Sequence, residues 1–322
     1  MPDVLISENI SGPAVDALGS KFNVEQLPEL WKDPKALMAR ANHCRALIVR
    51  NQTQVTREVL AAAPRLIVIG RAGIGLDNID VESASKAGVI VTYAPEQNTI
   101  SVAEFCIGLI LSLARMIPQA NCETKRGQWN RQSSVGTELY GKTLGIIGAG
   151  KIGCLTAKRA QGFGMKLVAY DPFVDPDSVS FSELNGELVE LEDLLARADV
   201  VSCHVPVTPQ TRGLIDRNRL KRMKKSAFLI NTSRGEILHE TDLVDALKNQ
   251  TIAGAALDGR ASEPPAANEL EKLSNVILTP HIAAFTHEAQ TRVVRAVCED
   301  VSRVLEGKCA KNAVTGWLHE QQ

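Results

Sequence analysis

Three short polar segments late in this 322-residue chain each follow an apolar run. INTSRGE, residues 230–236, puts Arg234 just past a strand end. ALDGRASEPP puts Asp258 at a second strand end and Glu263 in the loop beyond. LTPHIAA puts His281 after a third. These residue types suit work on a hydroxy or keto acid. An arginine fork holds a carboxylate and polarises a carbonyl. A histidine takes the hydroxyl proton in oxidation and returns it in reduction. A carboxylate beside it orients the imidazole and favours its charged form, raising its pKa. Taken singly each has a plainer explanation: a satisfied loop histidine, an arginine on a surface turn, an exposed glutamate before Pro264 and Pro265. Only a scaffold that gathers them makes a site.

The stretch that supplies such a scaffold runs from Gly141 to Asp171. It reads as a strand (Thr143 to Ile147), a glycine turn, a helix (Lys151 to Gln161) and a second strand closed by an acid. Gly148, Gly150 and Gly153 fit G-x-G-x-x-G. In that pattern the first glycine allows the tight turn, the second lets backbone approach a pyrophosphate, and the third lets helix pack on strand. The helix N-terminus then faces the pyrophosphate. Asp171 lies about 20 residues on, where an acid accepts from ribose hydroxyls and repels a 2′-phosphate. The cofactor expected is therefore NAD rather than NADP. Asp171 before Pro172 also suits a plain turn, and the two roles are compatible.

The remaining elements follow the same alternation. Strands are expected at Val4 to Ile6, Asn23 to Leu27, Ala46 to Val49, Leu66 to Ile69 and Val89 to Thr92. Helices fall between them at Ser11 to Leu18, Pro34 to Arg40, Arg57 to Ala63 and Val81 to Lys86, with Ser11, Asp33, Thr56 and Asp80 as N-caps. A long helical region follows at Thr99 to Arg115 and Gln119 to Arg126, interrupted at Pro118. Buried strands are expected again at Val200 to Val205, Ala227 to Thr232, Ala253 to Leu257 and Val276 to Leu278. Thr286 to Leu305 has helical spacing, and the chain from about Lys308 reads as frayed. Strands spaced by helices imply parallel, doubly wound α/β sheets. The cofactor domain then occupies residues 99–283, inserted in a smaller domain of residues 1–98 and 284–322. A ligand is expected at the strand ends, in the cleft between them.

Bulk properties narrow the class. Lys+Arg 36 against Asp+Glu 37 gives no basic excess to suggest nucleic acid or an acidic membrane surface. The seven cysteines are scattered without metal-ligand spacing, as expected of small core residues in a reducing compartment. No metal site, leader or spanning helix is read from the sequence, and the cytoplasm is the expected location.

Taken in order, the segments resemble the NAD-dependent D-2-hydroxyacid dehydrogenase family over nearly the whole chain. The matching pieces are VRNQTQV, GRAGIGLDNID, NTISVAE, LARMIPQA, GTELYGKTLGIIGAGKIG and the three polar segments. The resemblance implies a Rossmann domain inserted in a flavodoxin-like substrate domain. It makes Arg234 the substrate-binding arginine, Glu263 the orienting acid and His281 the proton donor or acceptor. Cofactor contacts are implied at Gly148, Gly150, Lys151, Ile152, Gly153, Asp171, Val205, Thr232 and Asp258, the last toward the nicotinamide carboxamide. The backbone of Ala72 and Gly73 would meet the substrate carboxylate. Arg50 and Arg71 match positions that lie beside the phosphate in the branch whose substrate is phosphorylated. A sulfonate would satisfy the same pair, and hydroxypyruvate or glyoxylate is a third possibility. The family's dimers form through the long helical region, so a homodimer is expected. Many members of that branch carry a regulatory C-terminal extension with no counterpart here, so feedback through it is not expected. The family also includes NAD(H)-sensing corepressors. Its formate dehydrogenases have glutamine where Glu263 stands. Two departures stand out: Gly259-Arg260 replaces an apolar pair, and Ala283 replaces glycine. Arg260 is expected to add a charge near Glu263 that alters substrate choice.

Overall fold

The computed structural model describes residues 1–174 and 184–314. The chain divides into two compact units, one of Met1–Asn98 with Thr286–Gln322 and one of Thr99–Phe285. Residues 315–322, part of the stretch assigned above to the first domain, lie outside the described residues.

The first unit holds β1 (Val4–Ile6), α1 (Pro13–Gly19), β2 (Val24–Gln26), α2 (Pro34–Ala41), β3 (Ala46–Val49), α3 (Arg57–Ala61), β4 (Val68–Arg71), α4 (Val81–Lys86) and β5 (Ile90–Thr92). Its parallel sheet has the order β2-β1-β3-β4-β5. Asp33 caps α2 by accepting from the Lys35 and Ala36 N–H groups, and Asp80 caps α4 through the Ser83 N–H. Thr56 stands at the α3 N-cap without a side-chain bond to its N–H groups, and Gly12 rather than Ser11 precedes α1. Strand β4 begins two residues later than the apolar run suggests. Its register against Ala46–Val49 sets the start, so Arg71 lies inside the strand.

The second unit holds α5 (Thr99–Ala114), α6 (Ile117–Lys125), β6 (Thr143–Ile147), α7 (Lys151–Gln161), β7 (Lys166–Tyr170), β8 (Glu187–Leu188), α8 (Leu191–Arg197), β9 (Val200–Cys203), α9 (Arg217–Arg222), β10 (Phe228–Asn231), α10 (Glu240–Lys248), β11 (Gly254–Leu257) and β12 (Val276–Leu278). Its parallel sheet runs β12-β11-β10-β9-β6-β7-β8, with the order reversing between β6 and β9. The break in the long helical region falls at Met116, which is left-handed, and not at Pro118. Pro118 sits in the first turn of α6, where its missing N–H costs no bond.

Helix α11 (His287–Leu305), capped by Thr286, returns to the first unit and buries Val293, Val297 and Val301. The segment after it is tied down rather than frayed. The Val314 N–H donates to Val91 O at 2.9 Å, the Tyr93 N–H donates to Asn312 O at 3.2 Å, and Ala313 bridges Thr92. Cys44, Cys106, Cys203 and Cys298 are buried, whereas Cys122 and Cys309 are exposed. No single described helix is long and apolar enough to cross a membrane.

Candidate active site

Parallel register decides which residues leave the second sheet side by side. Ile147 pairs with Tyr170 and Cys203, Cys203 with Asn231, Asn231 with Leu257, and Leu257 with Leu278. The residues just past those positions are Asp171, Gly148, His204, Thr232, Asp258 and Thr279, in the order of their strands. Neighbouring strands lie about 4.8 Å apart, so Thr232 stands roughly 10 Å from the glycine turn, two strands away. Ligands of open α/β sheets bind at such carboxyl ends, where the strand order reverses.

Beyond this line the loops bring the three polar segments together. The His281 Nδ1–H donates to Glu263 Oε2 at 2.7 Å and to Oε1 at 2.9 Å, with both side chains about a third exposed. His281 is left-handed (φ 55°), and its N–H donates to Asp258 O at 2.8 Å. Burial raises the Glu263 carboxyl. The His281 bond and charge, the Arg260 N–H and the Arg234 charge outweigh this and hold it below the ordinary carboxylate range. Arg234 follows an Asn231 side chain that accepts from the Ser233 N–H and Oγ and donates to Arg234 O at 2.8 Å. Next to it, a Cβ on Gly235 would lie 2.0 Å from the Arg260 carbonyl carbon, so the arginine turn and the Glu263 loop are in backbone contact.

Asp258 is almost wholly buried, and its carboxylate serves the protein's own donors. Oδ1 accepts from Thr279 Oγ1 at 2.6 Å and the Ile282 N–H at 2.9 Å, while Oδ2 accepts from the Ala283 N–H at 2.8 Å. Three of its roughly four acceptor positions are thus spent on fixing the His281 loop. Arg260, expected to add a charge near Glu263, stands beside that loop with its side chain buried and turned onto Glu240 and Glu271.

In the first unit, register aligns Ile48 with Gly70 and Val49 with Arg71, so Arg50 and Ala72 leave adjacent strands. The buried Glu8 accepts from the N–H groups of Arg50, Gln52 and Thr53 and shapes that turn. Burial lowers the Arg50 pKa, opposed by the Glu8 charge. The N–H groups of Ala72 and Gly73 donate to Val49 O at 2.7 Å and Arg71 O at 2.8 Å.

The glycine turn meets its expected constraints. Gly148 has φ 96°, and a Cβ there would lie 2.7 Å from His204 O; one on Gly153 would lie 2.2 Å from Gly148 O. A Cβ on Gly150 would meet nothing within 4 Å, so the backbone there faces open space. Gly150 offers no side chain to cap α7, and a helix N-terminus of this kind is where a pyrophosphate is met. Asp171 Oδ2 accepts from the Ala149 N–H at 2.9 Å and Oδ1 from the Phe173 N–H at 3.0 Å, tying the acid to the turn.

Residues 107–283 match the model of the D-isomer specific 2-hydroxyacid dehydrogenase NAD binding domain. The chain belongs to this family. It is 45% identical over 315 residues to a D-3-phosphoglycerate dehydrogenase of Methanocaldococcus jannaschii, covering 98% of this chain and 59% of that protein. The chain therefore spans about three fifths of the length of the curated relatives it matches. Among solved structures, a Thermus thermophilus protein superposes with a TM-score of 0.91 at 34% identity, covering 97% of this chain and 99% of that one. An Aquifex aeolicus D-lactate dehydrogenase complexed with NAD and lactic acid superposes with a TM-score of 0.87 at 28% identity, with the same coverage. The family, the doubly wound α/β fold and NAD as cofactor, all expected from the sequence, are borne out.

The second unit fits NAD on its own geometry. Besides the open backbone at Gly150, the buried Thr232 Oγ1 has no hydrogen-bond partner at the strand end where a nicotinamide would lie. Val205, after β9, packs against the core beside the turn. Each Asp171 oxygen keeps acceptor capacity for a ribose hydroxyl. Asp171→Ala is expected to erode the preference for NAD over NADP by tenfold or more, read as the ratio of kcat/KM for the two cofactors. An unchanged ratio would remove the acid from cofactor selection.

Sequence reading missed His204, at the β9 end within SCHVPVT. Burial pushes its imidazole down from 6.5 to about 4, and its Nε2 lies 2.9 Å from Ser202 Oγ. Between those pH values the unfolded chain binds a proton that the folded unit refuses. Stability therefore rises with pH across the window and is lost as pH falls from 6.5 toward 4. Some of the residue remains accessible, so the loss is smaller than the ~3 kcal/mol that the whole displacement implies. His204→Asn is expected to flatten the pH dependence of the urea midpoint over that window. A slope that persists would place its source elsewhere.

Proposed function

We propose that the chain is an NAD-dependent oxidoreductase that interconverts a D-2-hydroxy acid and its 2-keto acid. The observation that carries this reading is the Glu263–His281 pair, 2.7 Å apart on the sheet that bears the glycine turn, with Arg234 on the neighbouring loop. Bound NAD supplies hydride transfer at the nicotinamide. The chain's own residues do the rest. Arg234 holds the substrate carboxylate and polarises the carbonyl. With Nδ1–H committed to Glu263, His281 uses Nε2 to give or take the hydroxyl proton. Asp258 keeps the His281 loop in place.

The substrate best supported is 3-phosphoglycerate with its partner 3-phosphohydroxypyruvate. The support is the name of the 45% identical relative, a D-3-phosphoglycerate dehydrogenase, and Arg50 and Arg71 are proposed as readers of the second anion. Homodimerisation through the α5–α6 region fits the exposed Ile100 and Ile117 there, with Trp129, Val135 and Tyr140 exposed in the segment that follows, and a cytoplasmic enzyme is proposed.

The test is NADH oxidation with 3-phosphohydroxypyruvate, sulfopyruvate, hydroxypyruvate and glyoxylate. The expected order puts the phosphorylated acid first. Arg50→Ala is expected to raise its KM far more than that of glyoxylate. Faster turnover of sulfopyruvate, or of the two uncharged-tail acids, would reassign the substrate. Tight NADH binding without turnover of any of the four would favour a sensor.

A further inference from the structure

The loop from Gly259 to Asn268 carries Glu263, yet every residue from Ala261 to Ala267 is exposed. No apolar burial fixes it there. Its two ends meet instead on one carboxylate, that of Glu240 at the start of α10. Glu240 Oε1 accepts from Arg260 Nε at 3.1 Å and the Ala261 N–H at 3.1 Å. Glu240 Oε2 accepts from Arg260 Nη2 at 3.2 Å and Asn268 Nδ2 at 3.0 Å. A third guanidinium bond runs from Arg260 Nη1 to Glu271 Oε1 at 3.0 Å, and Glu271 Oε2 accepts from the Asn268 N–H at 2.8 Å. The Arg260 side chain is only 6% exposed. Its backbone N–H reaches Glu263 Oε1 at 3.2 Å.

We propose that Arg260, clamped by Glu240 and Glu271, is a positioning residue that holds the Glu263 carboxylate against His281. This rests on the reading of the Glu263–His281 pair given above and deepens it. The partners stand on elements fixed by their own cores, with Leu243 and Leu247 buried on α10 and Leu270 beside Glu271. The forked arginine contact is directional, which a lysine cannot reproduce. Burial alone would lower the Arg260 pKa, but its bonds to the two acids outweigh this and raise it, while Glu240 and Glu271 are held low. Without Arg260, Glu240 and Glu271 face each other as like charges at the loop's root, and both loop ends loosen. A shift of about 1 Å at a catalytic group can cost on the order of 100-fold in rate.

The experiment compares wild type, Arg260→Met, Arg260→Lys, Glu263→Gln and the Arg260→Met/Glu263→Gln double variant. Arg260→Met is expected to lower kcat about 10- to 100-fold while leaving the NADH dissociation constant within about twofold, because the glycine turn is elsewhere. Arg260→Lys should recover part of the loss. In the Glu263→Gln background Arg260→Met should cost little more, since the arginine acts through that carboxylate. A substrate-free readout accompanies the kinetics: the hydrogen-bonded His281 Nδ1–H proton resonance, assigned by its absence in His281→Asn. It should broaden through faster exchange in Arg260→Met and stay sharp in wild type. A sharp resonance with unchanged kcat in Arg260→Met overturns the proposal, and so does a full additive loss in the double variant. Absence of wild-type turnover with every keto acid would sink the functional reading instead. The resonance would still report on the clamp.

Discussion

Replacing His281 by alanine is expected to lower kcat for keto-acid reduction by about 10²–10⁴-fold, the range that positioned acid–base groups supply. The NADH dissociation constant should hardly move, because His281 lies beyond β12 and contributes nothing to the glycine turn. The substitution also frees Glu263 from its 2.7 Å partner. In the intact protein Glu263 titrates below its ordinary 4.5, so the pair's contribution is fully present above that value and is lost as pH falls through the depressed one. His281→Ala should therefore weaken the acid-side stability loss that the pair causes, as well as slow the reaction. Stopped-flow reduction and urea midpoints at pH 7 and pH 4 check both. A near-normal kcat would take His281 out of proton transfer.

Asp258→Ala is expected to cost about 1–3 kcal/mol in the unfolding of the second unit. The buried Ala283 N–H would be left without its acceptor, while the half-buried Thr279 hydroxyl and the N–H of the exposed Ile282 can turn to water. It should also depress kcat, since the same bonds hold the turn in which His281 takes its left-handed conformation. Asp258→Asn keeps one carbonyl acceptor and should fall between. Urea unfolding followed by a probe in the second unit is preferable to a single global midpoint, because two units need not unfold as one. Native stability in Asp258→Ala would mean that the loop is held by other contacts.

The parts of the molecule legible in the sequence were those set by local chemistry. The Thr143–Ile147 strand and the Lys151–Gln161 helix fall where the glycine pattern places them, because φ at Gly148 and the close approach at Gly153 leave few alternatives. Asp33 and Asp80 cap helices for equally local reasons. What escaped the sequence depends on partners distant along the chain. The start of β4 follows from its pairing with β3, and the ordering of residues 308–314 follows from bonds to β5. At the site, the meeting of Glu263 with His281 rested on family resemblance rather than on spacing. Asp258 reads as a strand-end group, and its bonds to Thr279, Ile282 and Ala283 join residues far apart in the chain. Arg260 carries no sequence signal for its partners, since Glu240 and Glu271 lie on either side of it in separate elements.

The first unit cannot complete its interior from its N-terminal residues alone. Gly70 in β4 lies so close to α11 that an added Cβ would sit 2.6 Å from Val297, and Val293, Val301 and Leu305 fill the same core. The second unit draws both of its cores from the uninterrupted run 99–285. On the ribosome, then, the middle of the polypeptide has everything it needs to fold before the beginning does. The opening hundred residues can close one face of their sheet by themselves, but the other face stays uncovered until α11 has been translated.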